Sequence, residues 1–496
     1  MKVCVLQPDY STTDVDYKHY DPPRNLAPLL PGHQVDHVFL NKLTTYQQLR
    51  ELRKRKYDIF VNLCEGYLEW SVPSIDVIHS MDALNLPYTG PSAILYDPPK
   101  PLMKYVAYCA GVKTPAFAEL RNTERLEENV SHLNFPLFVK PAKAGDSLGV
   151  DEHSVVEDML QLHHRVEYLL TLGYEDVLVE EYVEGREFTV LVAAQVPPER
   201  GCFSLKPVEY RFPDGYMFKT YSLKTSELHT DVNVPCTDEA LEAKLRTAAE
   251  RIFTGFSGMG YGRMDFRVNA EGEIFFLEIN FTCSVFYEDG YEGSADYVLN
   301  YDPLGKAGFL RHIIAEGIAR HALRQKKHRV KGNAINGYGI VARQRLSKGE
   351  VIFKLEESFQ RLVTRRYVEE NWTPQQLEEF RHYAYPLSEE VYILWDARPE
   401  NWAPHNHSCN PNTTYDGLNL VALRDIEADE ELTLDYSELL NDTLTSFVCS
   451  CGEPNCRQII SGKPDNSVTK REVQLRKERM LIKKPDAPLA DDLHHQ

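Results

Sequence analysis

The chain has 496 residues, too many for one ordinary core, and its 43% hydrophobic, 11% aromatic and 26% charged residues give it the balance of a folded multidomain protein. Its 55 Lys+Arg stand against 74 Asp+Glu, a formal charge of −19, which argues against bulk-charge binding to nucleic acid or to an anionic membrane. The longest apolar run, residues 188–194, is strand-sized, and residues 1–6 lead straight into Gln7-Pro8-Asp9 without the apolar stretch of a secretory signal, so a cytoplasmic protein is expected.

Residues 3–6 and 58–63 read as strands with a polar, helix-prone stretch at 46–56 between them, the alternation of a parallel sheet with crossover helices. Pro87, Gly90 and Pro91, then Pro98, Pro99 and Pro101, break the chain. Strand signals follow at 137–140, 177–183, 187–193 and 274–279, then a helix at 308–322. The basic run 324–331 reads as a solvated linker, and a smaller β- and turn-rich module extends to Gly462. The expected divisions are 1–97 and 98–322, a linker at 323–331, a module at 332–446, a cysteine loop at 447–462 and a charged tail at 463–496 whose stretch 470–484 is amphipathic. No internal repeat or low-complexity tract interrupts this order.

Residues 135–141 form a strand that ends on Lys140, and the loop after it carries Gly145 and Gly149. Such a loop can turn backbone N–H groups onto a polyphosphate while the ammonium neutralises it. Residues 177–183 can present backbone groups to an adenine, with Glu187 further on for a ribose. Asp265, Glu278 and Asn280 are hard oxygen ligands of the kind Mg²⁺ takes, and the last two, two apart on a strand, share one face.

Residues 86–308 resemble the ATP-grasp superfamily, and specifically D-alanine–D-alanine ligase. The motifs that carry this are Leu86-Pro87-Tyr88-Thr89-Gly90, the strand and loop 140–149, and the stretches 177–190, 262–265 and 277–280. Asn62-Leu63-Cys64-Glu65-Gly66 extends it more weakly. The resemblance implies an α/β ATP-grasp fold, with an N-terminal parallel α/β domain followed by central and C-terminal α+β domains. It places Lys100 and Lys140 on ATP phosphates, Glu180, Tyr182 and Val183 around adenine, and Glu187 on the ribose. Lys219 would close over the phosphates from a mobile loop. Asp265, Glu278 and Asn280 would hold two Mg²⁺, and Arg263 would steady the transferring phosphoryl group or the tetrahedral intermediate. The implied reaction turns a carboxylate into an acyl phosphate that an amine attacks, with small amino-acid or carboxylate substrates and a homodimer through the ligase half. Two stretches depart from the family. Residues 7–13 lack the glutamate that binds the first substrate's ammonium, and residues 281–286 replace a small Ser-Pro-Gly segment. Asp146 also stands in place of a serine facing the substrates. The nucleotide machinery is therefore expected intact and the amino-acid pockets rewritten, which argues against a cell-wall ligase.

Of ten cysteines, four crowd into the C-terminal part: Cys409, and Cys449, Cys451 and Cys456 in a Cys-x-Cys-x₄-Cys pattern. The three close thiolates suit tetrahedral Zn²⁺, with Cys409 as fourth ligand; His405 and His407 are alternatives that a four-cysteine site does not need. Asn406-His407-Ser408-Cys409-Asn410-Pro411-Asn412, Glu431-Leu432-Thr433-Leu434-Asp435-Tyr436 and the cysteine cluster together resemble a SET-domain lysine methyltransferase with its post-SET zinc loop, and Gly337-Tyr338-Gly339 matches its first glycine motif. A mainly β SET domain is implied, binding S-adenosylmethionine through Gly337, Tyr338, Gly339, Asn406 and His407, with Tyr436 catalytic. Tyr383, Tyr385 and Tyr392 are candidates for an aromatic wall around the amine. Ala403-Pro404 replaces the common Arg-Phe, and Leu434, where a Phe or Tyr often limits methylation, points to multiple methylation.

Together these readings predict a bifunctional small-molecule enzyme using ATP, two Mg²⁺, S-adenosylmethionine and Zn²⁺. The alternative is a protein lysine methyltransferase whose acidic body attracts a basic protein such as a histone tail. A non-catalytic nucleotide-sensing scaffold is disfavoured by the full set Lys140, Asp265, Glu278, Asn280 and Tyr436.

Overall fold

The computed structural model describes residues 1–11, 21–66, 71–143, 148–219, 232–333, 337–357, 361–394, 403–439 and 446–461. Asp146 and the tail from 462 onward, including 470–484, lie outside the described residues. The chain divides into two compact units, Met1–Arg324 and Gln325–Gln496.

In the first unit the strand Lys2–Pro8 is central to a parallel sheet, between Gln34–Leu40 and Ile59–Asn62. Its apolar run is buried on both faces, as a central parallel strand requires. Val3 and Val5 join one core cluster with Phe309 and Ile313 from the helix Gly305–Arg324. Cys4 and Leu6 join the opposite cluster with Leu49 and Leu52 of the helix Thr45–Arg53 and Val77, Ile78 and Met81 of the helix Ile75–Ala83.

Two antiparallel sheets follow. The smaller one orders Phe117–Leu120, Val177–Glu181, Leu137–Pro141 and Val155–Val156, covered by Leu162, Val166 and Leu169 of the helix Met159–Thr171. The larger one runs Asn233–Pro235, Val208–Tyr210, Arg186–Ala194, Tyr261–Val268 and Ile274–Asn280, with Cys202–Ser204 pairing the end of Arg186–Ala194. Phe188, Val190 and Val192 face the helix Glu239–Gly255, while Leu191 and Ala193 pack into the cluster that holds Phe309. Burial on both faces explains why 188–194 is apolar at every position but Thr189, whose hydroxyl is hydrogen-bonded to Asp265.

The second unit is a set of small sheets. His328–Asn333 pairs Gly337–Ala342; Asn419–Ala422 lies between Val351–Phe353 and Thr413–Asp416; Val391–Ile393 lies between Leu362–Thr364 and Tyr385–Pro386. Asn406–His407 pairs Thr433–Leu434 in parallel, and Phe447–Val448 pairs Ile459–Ile460. Ile340, Ala342, Leu346, Leu420, Ile426, Leu432 and Leu434 form the core. The basic run read as a linker is thus partly strand, since His328–Asn333 pairs antiparallel with Gly337–Ala342. Lys and Arg suit such an edge because the backbone pairs while the charges stay in water.

Gly185, at φ +142, makes the turn between Val177–Glu181 and Arg186–Ala194, where a Cβ would run into the carbonyl of Val268. This turn brings Tyr182, Val183 and Glu187 to the same place. Gly185→Ala is therefore expected to destabilise the first unit by roughly 1–3 kcal/mol in urea unfolding, through both strain and collision.

Candidate active sites

A cavity of about 110 Å³ in the first unit is lined from both antiparallel sheets: Lys140 and Glu180 come from the smaller, Glu187, Asp265 and Glu278 from the larger, and Lys100 and Lys219 flank them. The antiparallel register of Leu137–Pro141 with Val177–Glu181 brings Lys140 Nζ to 2.5 Å from Glu180 Oε1. Lys104, from the helix Lys100–Cys109, reaches Glu180 Oε2 at 2.6 Å and is only 1% exposed. Burial would push the Glu180 carboxyl up, but Lys104 and Lys140 outweigh it and hold it at about 2. Burial also lowers Lys104, which Glu180 opposes. The sequence reading missed Lys104; its i+4 spacing from Lys100 on the same helix was the available signal.

Glu187 pairs with Lys219 Nζ at 2.9 Å and Arg267 Nη2 at 3.1 Å. Arg267, also unanticipated, donates to the carbonyls of Met217 (2.8 Å) and Gly185 (3.2 Å) and so ties the approach to Lys219 to the turn at Gly185. Arg263, Asp265 and Arg267 alternate along one strand face, a period-two signal that places Arg267 with the other two. Tyr182 stacks on Phe138 with centroids 6.3 Å apart, and Phe218 meets Phe138 edge-on at 5.2 Å. With Val183 on the same wall, this is an apolar slot suited to a planar base.

Asp265 lies opposite Glu278, and Arg263 opposite Asn280, across the paired strands Tyr261–Val268 and Ile274–Asn280. Thr189 Oγ1 donates to Asp265 Oδ1 at 2.7 Å, Arg263 Nη2 is 3.3 Å from Asp265 Oδ2, and Lys100 Nζ is 3.6 Å from Glu278 Oε2. Two carboxylates and an amide oxygen on one surface, with cationic side chains against the carboxylates, fit a hard cation that shares phosphate oxygens.

In the second unit the two expected motifs meet. Asn406 Nδ2 donates to Tyr338 O at 2.9 Å and to Glu431 Oε1 at 2.6 Å. Gly339 is required there, because a Cβ would sit 2.8 Å from Asn406 Nδ2 and collide with the Glu431 carboxylate. Gly337 begins the same strand at φ +85. His407 Nδ1 accepts the Tyr436 N–H at 3.1 Å, and the two rings lie 5.5 Å apart. The Tyr436 hydroxyl donates to the carbonyl of His405. Burial pushes the Tyr436 phenol up to about 12 and drives His405 down to about 3, so at neutral pH one is a protonated donor and the other an uncharged ring.

The aromatic wall differs from the expectation. Tyr392 is core, 4.8 Å from the Phe380 ring, and Tyr383 is 68% exposed, whereas Tyr385 packs on Tyr415 at 5.0 Å. Tyr415, partly buried and within electrostatic reach of Tyr436, and Phe447, 6.0 Å from Tyr436, are rings near Tyr436 that the sequence reading missed. Both sit on short strands without a periodic run to flag them.

The sulfurs of Cys409, Cys449, Cys451 and Cys456 all lie within 4.8 Å of one another, and Cys409 and Cys449 are 3.9 Å apart. Tetrahedral Zn²⁺ with bonds of about 2.3 Å separates its sulfurs by about 3.8 Å, so the four thiols fit that ion. His407 Nε2 lies 3.3 Å from Cys409 Sγ, and its Nδ1 already serves Tyr436.

Glu180 offers a direct check on the first cavity. Its contribution to stability is expected to be fully present above its unfolded value near 4.5 and to fade as pH falls towards about 2, seen as acid unfolding monitored by circular dichroism. Lys104→Met, which strips one partner from a buried carboxylate, is expected to cost about 3 kcal/mol in urea unfolding.

Residues 106–285 match the family described as D-ala D-ala ligase C-terminus, and residues 337–437 match the SET domain. The D-alanine–D-alanine ligase of Herminiimonas arsenicoxydans is 32% identical over 248 residues, covering 47% of this chain and 69% of that protein. That of Aquifex aeolicus (strain VF5) is 32% identical over 262 residues, covering 50% and 79%. Among solved structures, the D-alanine–D-alanine ligase from Coxiella burnetii aligns at a TM-score of 0.47 and 17% identity over 66% of this chain and 97% of that one. The Bacillus anthracis ligase complexed with ATP aligns at 0.46 and 18% over 66% and 100%. With two relatives above 30% identity matched over more than two thirds of their length, the chain belongs to the D-alanine–D-alanine ligase family of ATP-grasp enzymes, here joined to a SET methyltransferase domain.

Proposed function

We propose that the protein is a bifunctional enzyme of small-molecule biosynthesis. The ligase part converts a carboxylate to an acyl phosphate with ATP and joins it to an amine as an amide. The SET part moves a methyl group from S-adenosylmethionine to a lysine-like amine on the substrate or product. The observation that carries this reading is the single cavity that unites Lys100, Lys140 and Lys219 with Asp265 and Glu278. The ammonium groups complement a polyphosphate, and Asp265, Glu278 and Asn280 would hold two Mg²⁺, which when bound offset phosphate charge. Tyr182, Val183 and Glu180 would border the adenine, Glu187 would take the ribose, and Arg263 would steady the transferring phosphoryl group or the tetrahedral intermediate. Little covalent help is needed, because position and charge supply the rate.

In the SET part, Gly337, Tyr338, Gly339, Asn406 and His407 would hold S-adenosylmethionine, and Cys409, Cys449, Cys451 and Cys456 would hold Zn²⁺. Tyr436 orients the amine through its hydroxyl, and Leu434 leaves room for more than one methyl. The departures at 7–13 and 281–286 favour an acid and an amine other than D-alanine. A cytoplasmic enzyme, dimeric through its ligase part, completes the reading. The charge of −19 supports one second reading, a methyltransferase acting on a basic protein.

With ATP, Mg²⁺, S-adenosylmethionine and an amino-acid pool, the protein is expected to release phosphate and to form a methylated amide detectable by mass spectrometry. Absence of both across broad pools contradicts the reading; labelled methyl on histones but not on amino acids or dipeptides selects the second one. Glu278→Gln is expected to lower ligation about 100-fold and leave methyl transfer intact, and Tyr436→Phe to lower methyl transfer about 10- to 100-fold and leave ligation intact. Methyl transfer should rise with pH as the amine deprotonates and show no fall from the Tyr436 phenol below about pH 11. Elemental analysis should find one zinc per chain, lost in Cys449→Ser together with thermal stability of the second unit.

A further inference from the structure

Three residues stand in a row across neighbouring strands of the larger sheet. Glu187 lies opposite Arg267 in the pairing of Arg186–Ala194 with Tyr261–Val268, and opposite Tyr210 in its pairing with Val208–Tyr210. Side chains in register on one face of a sheet touch, so Glu187 has a cation on one side and an aromatic ring on the other. The ring supports a second cation: Lys219 Nζ lies 4.6 Å from the Tyr210 centroid and 2.9 Å from Glu187 Oε1. Glu187, Lys219 and Arg267 all line the nucleotide cavity.

The two cations divide the carboxylate between them. Lys219 takes Oε1, and Arg267 takes Oε2 through Nε (3.2 Å) and Nη2 (3.1 Å). They are not held equally. Arg267, 4% exposed, also donates to the carbonyls of Gly185 and Met217, and its guanidinium lies 5.0 Å from the Phe212 ring and 5.6 Å from that of Tyr182. Among the described residues, Lys219 is held by Glu187 and the Tyr210 ring, at the end of a flexible four-carbon stem. Two positive charges against one carboxylate leave one in excess, and Lys219 covers the oxygen that a ribose hydroxyl needs. A nucleoside brings only neutral hydroxyls to that place. It reaches Oε1 by leaving a largely buried ammonium without an anion, which is costly. A polyphosphate brings the anion with it.

We propose that Arg267 is a specificity-determining residue of the nucleotide site. It keeps Glu187 paired while Lys219 exchanges the carboxylate for phosphate, and so makes the site select polyphosphorylated nucleotides over nucleosides. The inference rests on the ligase reading above and deepens it, because the ribose end of the cavity then discriminates by phosphate charge. Without Arg267, the departure of Lys219 would strand Glu187 as a buried, unpaired carboxylate, and part of the gain from the phosphates would be lost. With Arg267 in place, Glu187 stays ionised and its freed oxygen accepts a hydroxyl.

Binding of ATP and of adenosine is measured by titration calorimetry with Mg²⁺ on the full chain, as wild type, Lys219→Met, Arg267→Met and Arg267→Lys. The ratio of the two Kd values is the readout. Wild type is expected to favour ATP by at least about 100-fold. Lys219→Met is expected to bind adenosine about 3- to 10-fold more tightly than wild type, because Oε1 is open, while ATP weakens about 10-fold. Arg267→Met is expected to weaken ATP about 10- to 100-fold and adenosine less than about threefold, with Arg267→Lys recovering most of the ratio. A merely structural loss weakens both ligands alike, so an unchanged ratio in Arg267→Met overturns the proposal and leaves the ligase reading standing. Wild type that binds no ATP removes the ligase reading and the proposal together. If Arg267→Met fails to fold, Lys219→Met decides: tighter adenosine binding supports the exchange, and unchanged or weaker binding overturns it.

Discussion

Carboxylates enclosed in one cleft repel each other and lose their water, and the first unit is organised around that constraint. Glu180 is met by Lys104 and Lys140, Glu187 by Lys219 and Arg267, Asp265 by Arg263 and Glu278 by Lys100. The partners come from both sheets and from the helix Lys100–Cys109, so ion pairing fixes how these elements sit on one another. The same pairing prepares the cleft for its work. A polyphosphate can take over the ammonium groups, and hard cations can take over the carboxylates, without either set being left uncompensated. Glu180 differs from the rest. Held by two lysines and 4% exposed, it stays ionised down to about pH 2 and serves as a fixed negative post rather than an exchangeable one.

The second unit relies on close approach instead. Gly339 lets Asn406 and Glu431 come against the backbone of its strand, and the parallel pairing of Asn406–His407 with Thr433–Leu434 then sets Tyr436 beside His407. The cysteine cluster is wired into the same place: Arg457 gives its N–H to Cys409 Sγ at 3.3 Å and its guanidinium to Ser437 Oγ at 2.6 Å and to Asp435. Order among the thiols is thereby order at the residues on either side of Tyr436.

The sequence made the strong repeats of the fold legible. The run 188–194 is apolar at all positions but Thr189 because both faces of its strand are covered, and Glu278 with Asn280 share a face because strands alternate. The cysteine quartet was equally plain, since few other arrangements explain three thiols within eight residues. What stayed hidden depends on contacts between distant segments. Spacing alone ties Lys104 to Lys100 and Arg267 to Asp265, but only the fold shows that Glu180 and Glu187 are their partners, and nothing local marks Asp21, Arg24 and Glu65 as one cluster. Tyr383, Tyr385 and Tyr392 look alike in the sequence, yet burial separates them into an exposed ring, a ring packed on Tyr415 and a core residue. The run 324–331 looked like a linker because charge suggests water, whereas strand pairing consumes backbone groups and leaves charge outside.

The central claim is that the first unit activates a carboxylate by phosphorylating it. An ¹⁸O-carboxyl-labelled amino-acid mixture, incubated with the protein, ATP and Mg²⁺, tests this directly by mass spectrometry of the released phosphate. Formation of an acyl phosphate and its displacement by an amine carries one carboxyl oxygen into the phosphate, so the account predicts ¹⁸O-phosphate in proportion to the amide formed. Phosphate released without the label would contradict it.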